Sequence, residues 1–460
     1  MQSHASSLTT GPVEMPRNRT VIALIATAVT LACILLVKPS SMAHFAWFFC
    51  VWSLVMLLLD RGRLGDFAFG FLVNSAFVGV YVLVQTTVYP DSYGTTSPLS
   101  AVWTDDSYFF ATVADSIPRD LLVRDEYWLF EPVFTKLIRM IVPLYISHPL
   151  DALFFQSGTA ALLATSVSRL MMQLSRDREM ANVAFIFSII CPFLLMNGGA
   201  IMMRDTLTAA LFVYSLCCIN DRQFVRGALA IGLHVAVRPG TAMILMFAYP
   251  IVYFPEVRSF VRRRPILSFM AVALLVVGVV VGLPLALEYV GGLYQAGAAI
   301  TLVGREVYSD LSGDSSANTF FLAIQQLPLV VKIILNGAYM FMYPFLSVRT
   351  VLDAAQFDAR SFLLNIVAPL YAFWLNAWFF AGALRGKPVI DRQREIVVAI
   401  AVVLMLVGLY SLQTRHKTII YPLYYIIIAV GFSKATINSR RLGYALSALL
   451  FLVQVASQFR

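Results

Sequence analysis

Charge is what this sequence has least of. Asp, Glu, Lys and Arg make up 13% of its 460 residues, against 59% hydrophobic, and the mean hydropathy is +0.78. A soluble domain carries about a quarter of its residues as charges, so a water-exposed globular surface is excluded. The alternation of apolar and polar residues that marks a membrane barrel is missing as well. Cysteine is sparse: Cys33, Cys50, Cys191, Cys217 and Cys218 lie in apolar stretches without CxxC or metal-ligand spacing, and they read as packing residues. The N-terminal stretch lacks an early apolar core and a small-residue cleavage site, which argues against a signal peptide and for a permanent first span. Nor is there a segregated basic domain. The net charge of +9 is scattered over short segments, so a nucleic-acid partner is not expected.

What the sequence does have is long apolar runs. "TVIALIATAVTLACILLV" from Thr20 and "ILSFMAVALLVVGVVVGLPLAL" from Ile266 are long enough to cross a hydrocarbon core of about 30 Å as helices. Backbone in lipid must satisfy its own hydrogen bonds, so the expected fold class is all-α: a polytopic integral membrane helix bundle in one domain, 20–460, behind a cytoplasmic tail, 1–19. Spans are expected near 20–37, 43–59, 67–88, 148–174, 180–197, 201–219, 224–237, 240–254, 266–287, 361–384, 395–412, 418–433 and 442–458, about thirteen in all.

Two long connections, 89–147 and 288–360, interrupt the runs, and both are too rich in aromatic and aliphatic residues to be disordered linkers. "FEPVFTKLIRMIVPLYI" from Phe130 reads as a helix lying in the interface, with Lys136 and Arg139 on one face. "TFFLAIQQLPLVVKIILNGAYMFMYPFLSV" is broken by Pro328, Lys332, Asn336 and Pro344 and reads as interfacial or re-entrant. Orientation follows from the basic residues. With the N-terminus inside, the inner loops hold Arg17, Arg19, Arg61, Arg63, Arg176, Arg178, Arg222, Arg226, the arginines from 258 to 264, then Arg385 to Arg394, Lys434, Arg440 and Arg441, more than half of the 34 Lys and Arg. Both long connections then lie outside.

That layout leaves charge on the outer face at four separated points: Asp105 and Asp106 in "WTDDSYFF", Arg204 and Asp205 in "MMRDT", Arg238 in "VRPG", and Arg415, His416 and Lys417 in "QTRHK". Plain explanations exist for each. Thr104 can cap a helix whose first turn carries the two aspartates, Asp205 can be an ordinary first-turn acid, Arg204 can snorkel to headgroups, and Arg238 can be a turn residue. Three consecutive cations on the outer face are harder to dismiss, because they oppose the orientation rule and call for an anionic partner. Adjacent carboxylates diverge in a helix or a strand, so unequal roles are expected. One acts as general base on an acceptor hydroxyl; the other orients it or ligates a divalent cation, magnesium or manganese, through hard oxygens. Guanidinium groups suit a phosphate or diphosphate leaving group.

The acidic pair followed by an aromatic in "DDSYF", the interfacial helix after it, the segment ending "YPF" and the late "TRHK" before "YPLYYIIIAVGF" resemble the GT-C class of multispan membrane glycosyltransferases, which includes polyprenyl-phosphate-sugar-dependent transferases and related polysaccharide polymerases. The resemblance implies a catalytic carboxylate at Asp105 or Asp106, with Tyr108 beside it, and a lipid-phosphate site at Arg415, His416 and Lys417. Arg204, Asp205 and Arg238 are added on topology and chemistry. The expected activity is transfer of a sugar or glycan from a polyprenyl-linked donor to a glycan, lipid or protein acceptor at the outer face of a bacterial inner membrane. Two rivals stand beside it: a transporter or flippase of lipid-linked glycan, and a scaffold in a polysaccharide assembly complex.

Overall fold

The computed structural model describes residues 17–88, 149–195, 204–238, 241–242, 245, 248–253, 259, 263, 327–342, 362–410 and 414–457. All regular structure among them is helical. In chain order the helices are α1 (Arg17–Val37), α2 (Ser41–Asp60), α3 (Leu64–Thr87), α4 (Pro149–Ser175), α5 (Arg178–Ile190), α6 (Pro192–Leu195), α7 (Arg204–Asn220), α8 (Phe224–Val237), α9 (Ala248–Tyr253), α10 (Leu329–Met342), α11 (Ala368–Ala383), α12 (Gln393–Tyr410), α13 (Tyr421–Lys434) and α14 (Ile437–Ser457). A π-helical turn, Leu363–Val367, leads into α11, and 3-10 turns occupy Arg61–Arg63 and Thr414–Ile419.

Three stretches, Asn18–Val37, Ser41–Thr87 and Leu363–Ala383, are long and apolar enough to cross a membrane, which is compatible with an integral membrane protein. Side-chain exposure fits a lipid surroundings. Leu24, Ile25, Leu35 and Leu36 of α1, Leu54 and Leu58 of α2, and Leu449 and Leu452 of α14 are large, apolar and exposed, while the opposite faces of these helices are packed. A soluble bundle would put charge on such faces. Cys33, Cys191, Cys217 and Cys218 are buried, as packing residues should be; Cys50 is exposed. The expected run 266–287 and the interfacial helix from Phe130 lie outside the described residues.

One half of the bundle is knit by α1 to α4. Phe45 of α2 meets Phe154 of α4 edge-on at 5.2 Å, and Phe48 meets Phe155 at 5.8 Å. The other half is a tight stack of α11 between α13 and α14. Here Gly431 faces the Trp378 carbonyl so closely that a methyl group would overlap it. Small residues at such crossings let backbones approach where lipid gives no hydrophobic drive for helix association.

Charges tie the helices together at one end. Arg19 donates to Asp66 at 2.7 Å and to Asn182 at 3.2 Å, linking α1, α3 and α5. Arg169 of α4 pairs with Asp60 at 3.4 Å and with Asp221 at 2.6 Å. Arg392 donates to Asn220 at 2.7 Å, and Lys434 pairs with Asp177 at 3.0 Å. These loops are the ones that the sequence groups by their arginines, and they gather at one end of the molecule. Arg176, Arg222 and Arg392 in these turns adopt the left-handed backbone region, with φ of 56°, 58° and 61°. Asp177 caps α5 by accepting from the Glu179 and Met180 N–H groups. Its carboxyl is held below the usual carboxylate range, first by the Lys434 ammonium and then by those backbone donors.

Candidate functional site

The end opposite these basic loops holds the candidate site. Four helices that start or finish among the basic turns are short: α5, α7, α8 and α13 have 13, 17, 14 and 14 residues. At 1.5 Å per residue they rise about 20 to 26 Å, less than a hydrocarbon core of about 30 Å. Their far ends carry Cys191, Asp205, Arg238 and Lys417 or lie next to them.

Arg238 follows the last residue of α8 and closes onto Asp205 in the first turn of α7, forming a direct ion pair. Asp205 is fully buried. A carboxylate there requires a partner, and the α8 C-terminus delivers one. The pairing also joins the two points that the sequence left separate, since α7 and α8 run antiparallel out of the Asp221–Gln223 turn. His234, one turn before Arg238, shares a hydrogen bond with Thr241 at 3.1 Å.

The Thr414–Ile419 turn packs against α7. The Arg392–Asn220 bond sets the start of α12 at the basic end and the Lys434–Asp177 pair returns the end of α13 there, so the turn between α12 and α13 lies at the other end. The turn therefore brings residues 414–419 to the same end as the Asp205–Arg238 pair. Arg204 is the first residue of α7, and Arg415 and His416 lie in the turn.

Lys417 is buried, with 3% exposure. Its Nζ donates to the Phe341 carbonyl at 2.7 Å and lies 5.6, 5.7 and 5.9 Å from the rings of Phe341, Tyr421 and Tyr424. Phe341 belongs to α10. The Met342 carbonyl accepts from Gln454 of α14. Lys417 thus ties the turn to α10. Burial pushes its ammonium down to about 7. Beside it Cys191, Tyr371, Tyr421 and Tyr424 line a recess with space for about one water-sized group.

A second polar cluster at this end escaped the sequence reading. Asp151 in the first turn of α4 is fully buried and accepts from Ser41 Oγ at 2.5 Å, with Lys38 Nζ and His44 Nδ1 each 3.4 Å away. The signal was available: an acid inside an apolar run needs a partner, and Lys38 stands in the short α1–α2 turn. Asp105, Asp106 and Tyr108 lie outside the described residues. Among the described residues no group of three or more His, Cys, Asp or Glu is placed to hold a metal ion. Comparison of the chain with protein-family models, with curated proteins and with solved structures finds no match.

Proposed function

We propose that this chain is a membrane glycosyltransferase that moves a sugar or glycan from a polyprenyl phosphate or diphosphate carrier to an acceptor hydroxyl. The observation that carries the reading is the convergence of buried charge at the end away from the basic loops: the Asp205–Arg238 pair and the turn 414–419 meet on α7. On this reading the chain spans the inner membrane of a bacterium about thirteen times, the basic end is cytoplasmic by the positive-inside rule, and connections 89–147 and 288–360 are external.

The chemistry is a displacement at the anomeric carbon. The acceptor oxygen forms the new glycosidic bond, the bond to the carrier phosphate oxygen breaks, and the phosphate leaves with the electron pair. Asp105 or Asp106 takes the acceptor proton, with Tyr108 nearby, and the other carboxylate orients the acceptor or ligates magnesium or manganese. Arg204, Arg238, Arg415 and Lys417 balance the charge that builds on the leaving phosphate, with His416 as a neutral hydrogen-bonding partner. The test is transfer by purified protein in nanodiscs from a polyprenyl-phosphate sugar. Asp105→Asn or Asp106→Asn should cut the rate by about 10²- to 10⁴-fold at normal abundance. Parental rates in both variants would remove the carboxylates from the mechanism.

One observation favours the rival reading of a lipid-linked glycan transporter: Lys417 is buried within the bundle on the Phe341 carbonyl, and buried charges are frequent in transporters. Movement of a labelled lipid-linked glycan across proteoliposomes without glycosidic bond formation would select that reading.

A further inference from the structure

The hydroxyls of Thr206 and Thr418 are exceptions to the rule that buried polar atoms find partners. Both residues are fully buried, and neither Oγ1 has a hydrogen-bond partner among the described residues. Some buried hydroxyls bond within their own helix: Thr208 donates to the Asp205 carbonyl at 2.8 Å, Ser215 to the Phe212 carbonyl at 2.6 Å, and Thr165 to the Ala161 carbonyl at 2.8 Å, whereas those of Ser75 and Tyr425 also have no partner among the described residues. An unpaired buried hydroxyl lowers the stability of the empty protein, so two at one junction call for a reason.

Their location supplies it. Thr206 lies in the first turn of α7, a helix of 17 residues whose opening N–H groups have no partner within the helix and carry the positive end of the dipole. Thr418 lies in the turn packed on α7. Arg238, at the same place, pairs with Asp205 and so keeps that acid from closing the helix start to an anion.

We infer that the start of α7, with Thr206, Thr418 and Arg238, is an oxyanion site that takes the oxygens of a phosphate group. Phosphate oxygens accept several hydrogen bonds at once, and helix N–H groups, two hydroxyl donors and a guanidinium meet that need. A neutral sugar hydroxyl would gain nothing from the helix dipole. The inference rests on the transferase reading only for the source of the phosphate, a lipid carrier rather than a free ion.

The experiment measures binding of farnesyl phosphate, inorganic phosphate and farnesol to purified protein in nanodiscs, for the parent and for Thr206→Val, Thr206→Ser, Thr418→Val and Thr418→Ser. Each Val variant should bind farnesyl phosphate about tenfold more weakly, and each Ser variant within about twofold of the parent. Farnesol binding should not change. The thermal midpoint of the empty Val variants should equal or exceed that of the parent, because an unpaired hydroxyl has been removed. Parental affinity in both Val variants would overturn the inference and leave the transferase reading standing, and so would a lowered midpoint, which would make the hydroxyls structural. Binding of inorganic phosphate that is lost in the Val variants, with no farnesyl phosphate binding, would uphold the site and remove the lipid carrier. A parent that binds neither phosphate would overturn both.

Discussion

Lys417 and Phe341 are joined by a hydrogen bond of 2.7 Å from the lysine Nζ to the phenylalanine carbonyl, across 76 residues of sequence. The bond fastens α10 to the turn between α12 and α13, and it holds a cation that burial makes weakly basic. The pH dependence follows from the direction of that shift. The folded pKa of about 7 lies below the ordinary lysine value of about 10.4, so the unfolded chain holds more protons between these limits and stability rises with pH across that window. Below pH 7 the buried ammonium works against folding. Replacing Lys417 with Met should therefore be better tolerated at pH 6 than at pH 9, read as the difference in thermal midpoint between parent and variant. A difference that stays the same at both values would mean that the ammonium is not desolvated.

The Asp205–Arg238 pair should behave as a buried ion pair. Arg238→Ala leaves a fully buried carboxylate without this partner and should cost about 3 to 5 kcal/mol. Asp205→Ala with Arg238→Ala should cost less than the sum of the two single changes. Chemical unfolding in detergent gives the cycle, and strict additivity would show that the two side chains do not interact.

Two glycines separate packing from propensity. Gly431→Ala drives a methyl group into the Trp378 carbonyl and should abolish folding or force α11 and α13 apart, seen as loss of monodisperse protein on size exclusion. Gly232, in the middle of α8, has open space at its Cβ position. Gly232→Ala should raise stability by about 0.5 to 1 kcal/mol, the usual gain from replacing a mid-helix glycine.

At the basic end, Asp177 joins a helix cap to an ion pair. Asp177→Ala should cost about 1 kcal/mol through loss of the α5 cap. Because its folded pKa is depressed, its contribution is complete above the unfolded value of about 3.9 and is lost as the pH falls through the lower folded value. The midpoint gap between parent and Asp177→Ala should therefore be constant from pH 5 to pH 7 and shrink in stronger acid.

The helices were largely legible because a membrane segment announces itself by uninterrupted apolarity. The expected run 224–237 coincides with α8, and 43–59, 67–88 and 148–174 lie within two or three residues of α2, α3 and α4. The grouping of loops by arginine was legible too, and the Arg169, Arg392 and Lys434 pairs give it a physical basis. What could not be read was partnership. Asp205 and Arg238 stand 33 residues apart, and only the antiparallel course of α7 and α8 brings them together. The cluster around Asp151 draws Lys38 and Ser41 from more than 100 residues away. The bond from Lys417 to the Phe341 carbonyl was hidden for the same reason, since the two residues stand 76 apart.

The brevity of α8 bears on the bilayer itself. Its Phe224, Val225 and Leu229 face outward, yet its 14 residues span about 21 Å against a hydrocarbon core of about 30 Å. On the membrane reading proposed above, acyl chains beside it shorten or tilt to match, at a fraction of a kcal/mol for each ångström of mismatch. The protein should thus prefer short-chain lipids along this flank, and headgroups there should be drawn down toward Arg238.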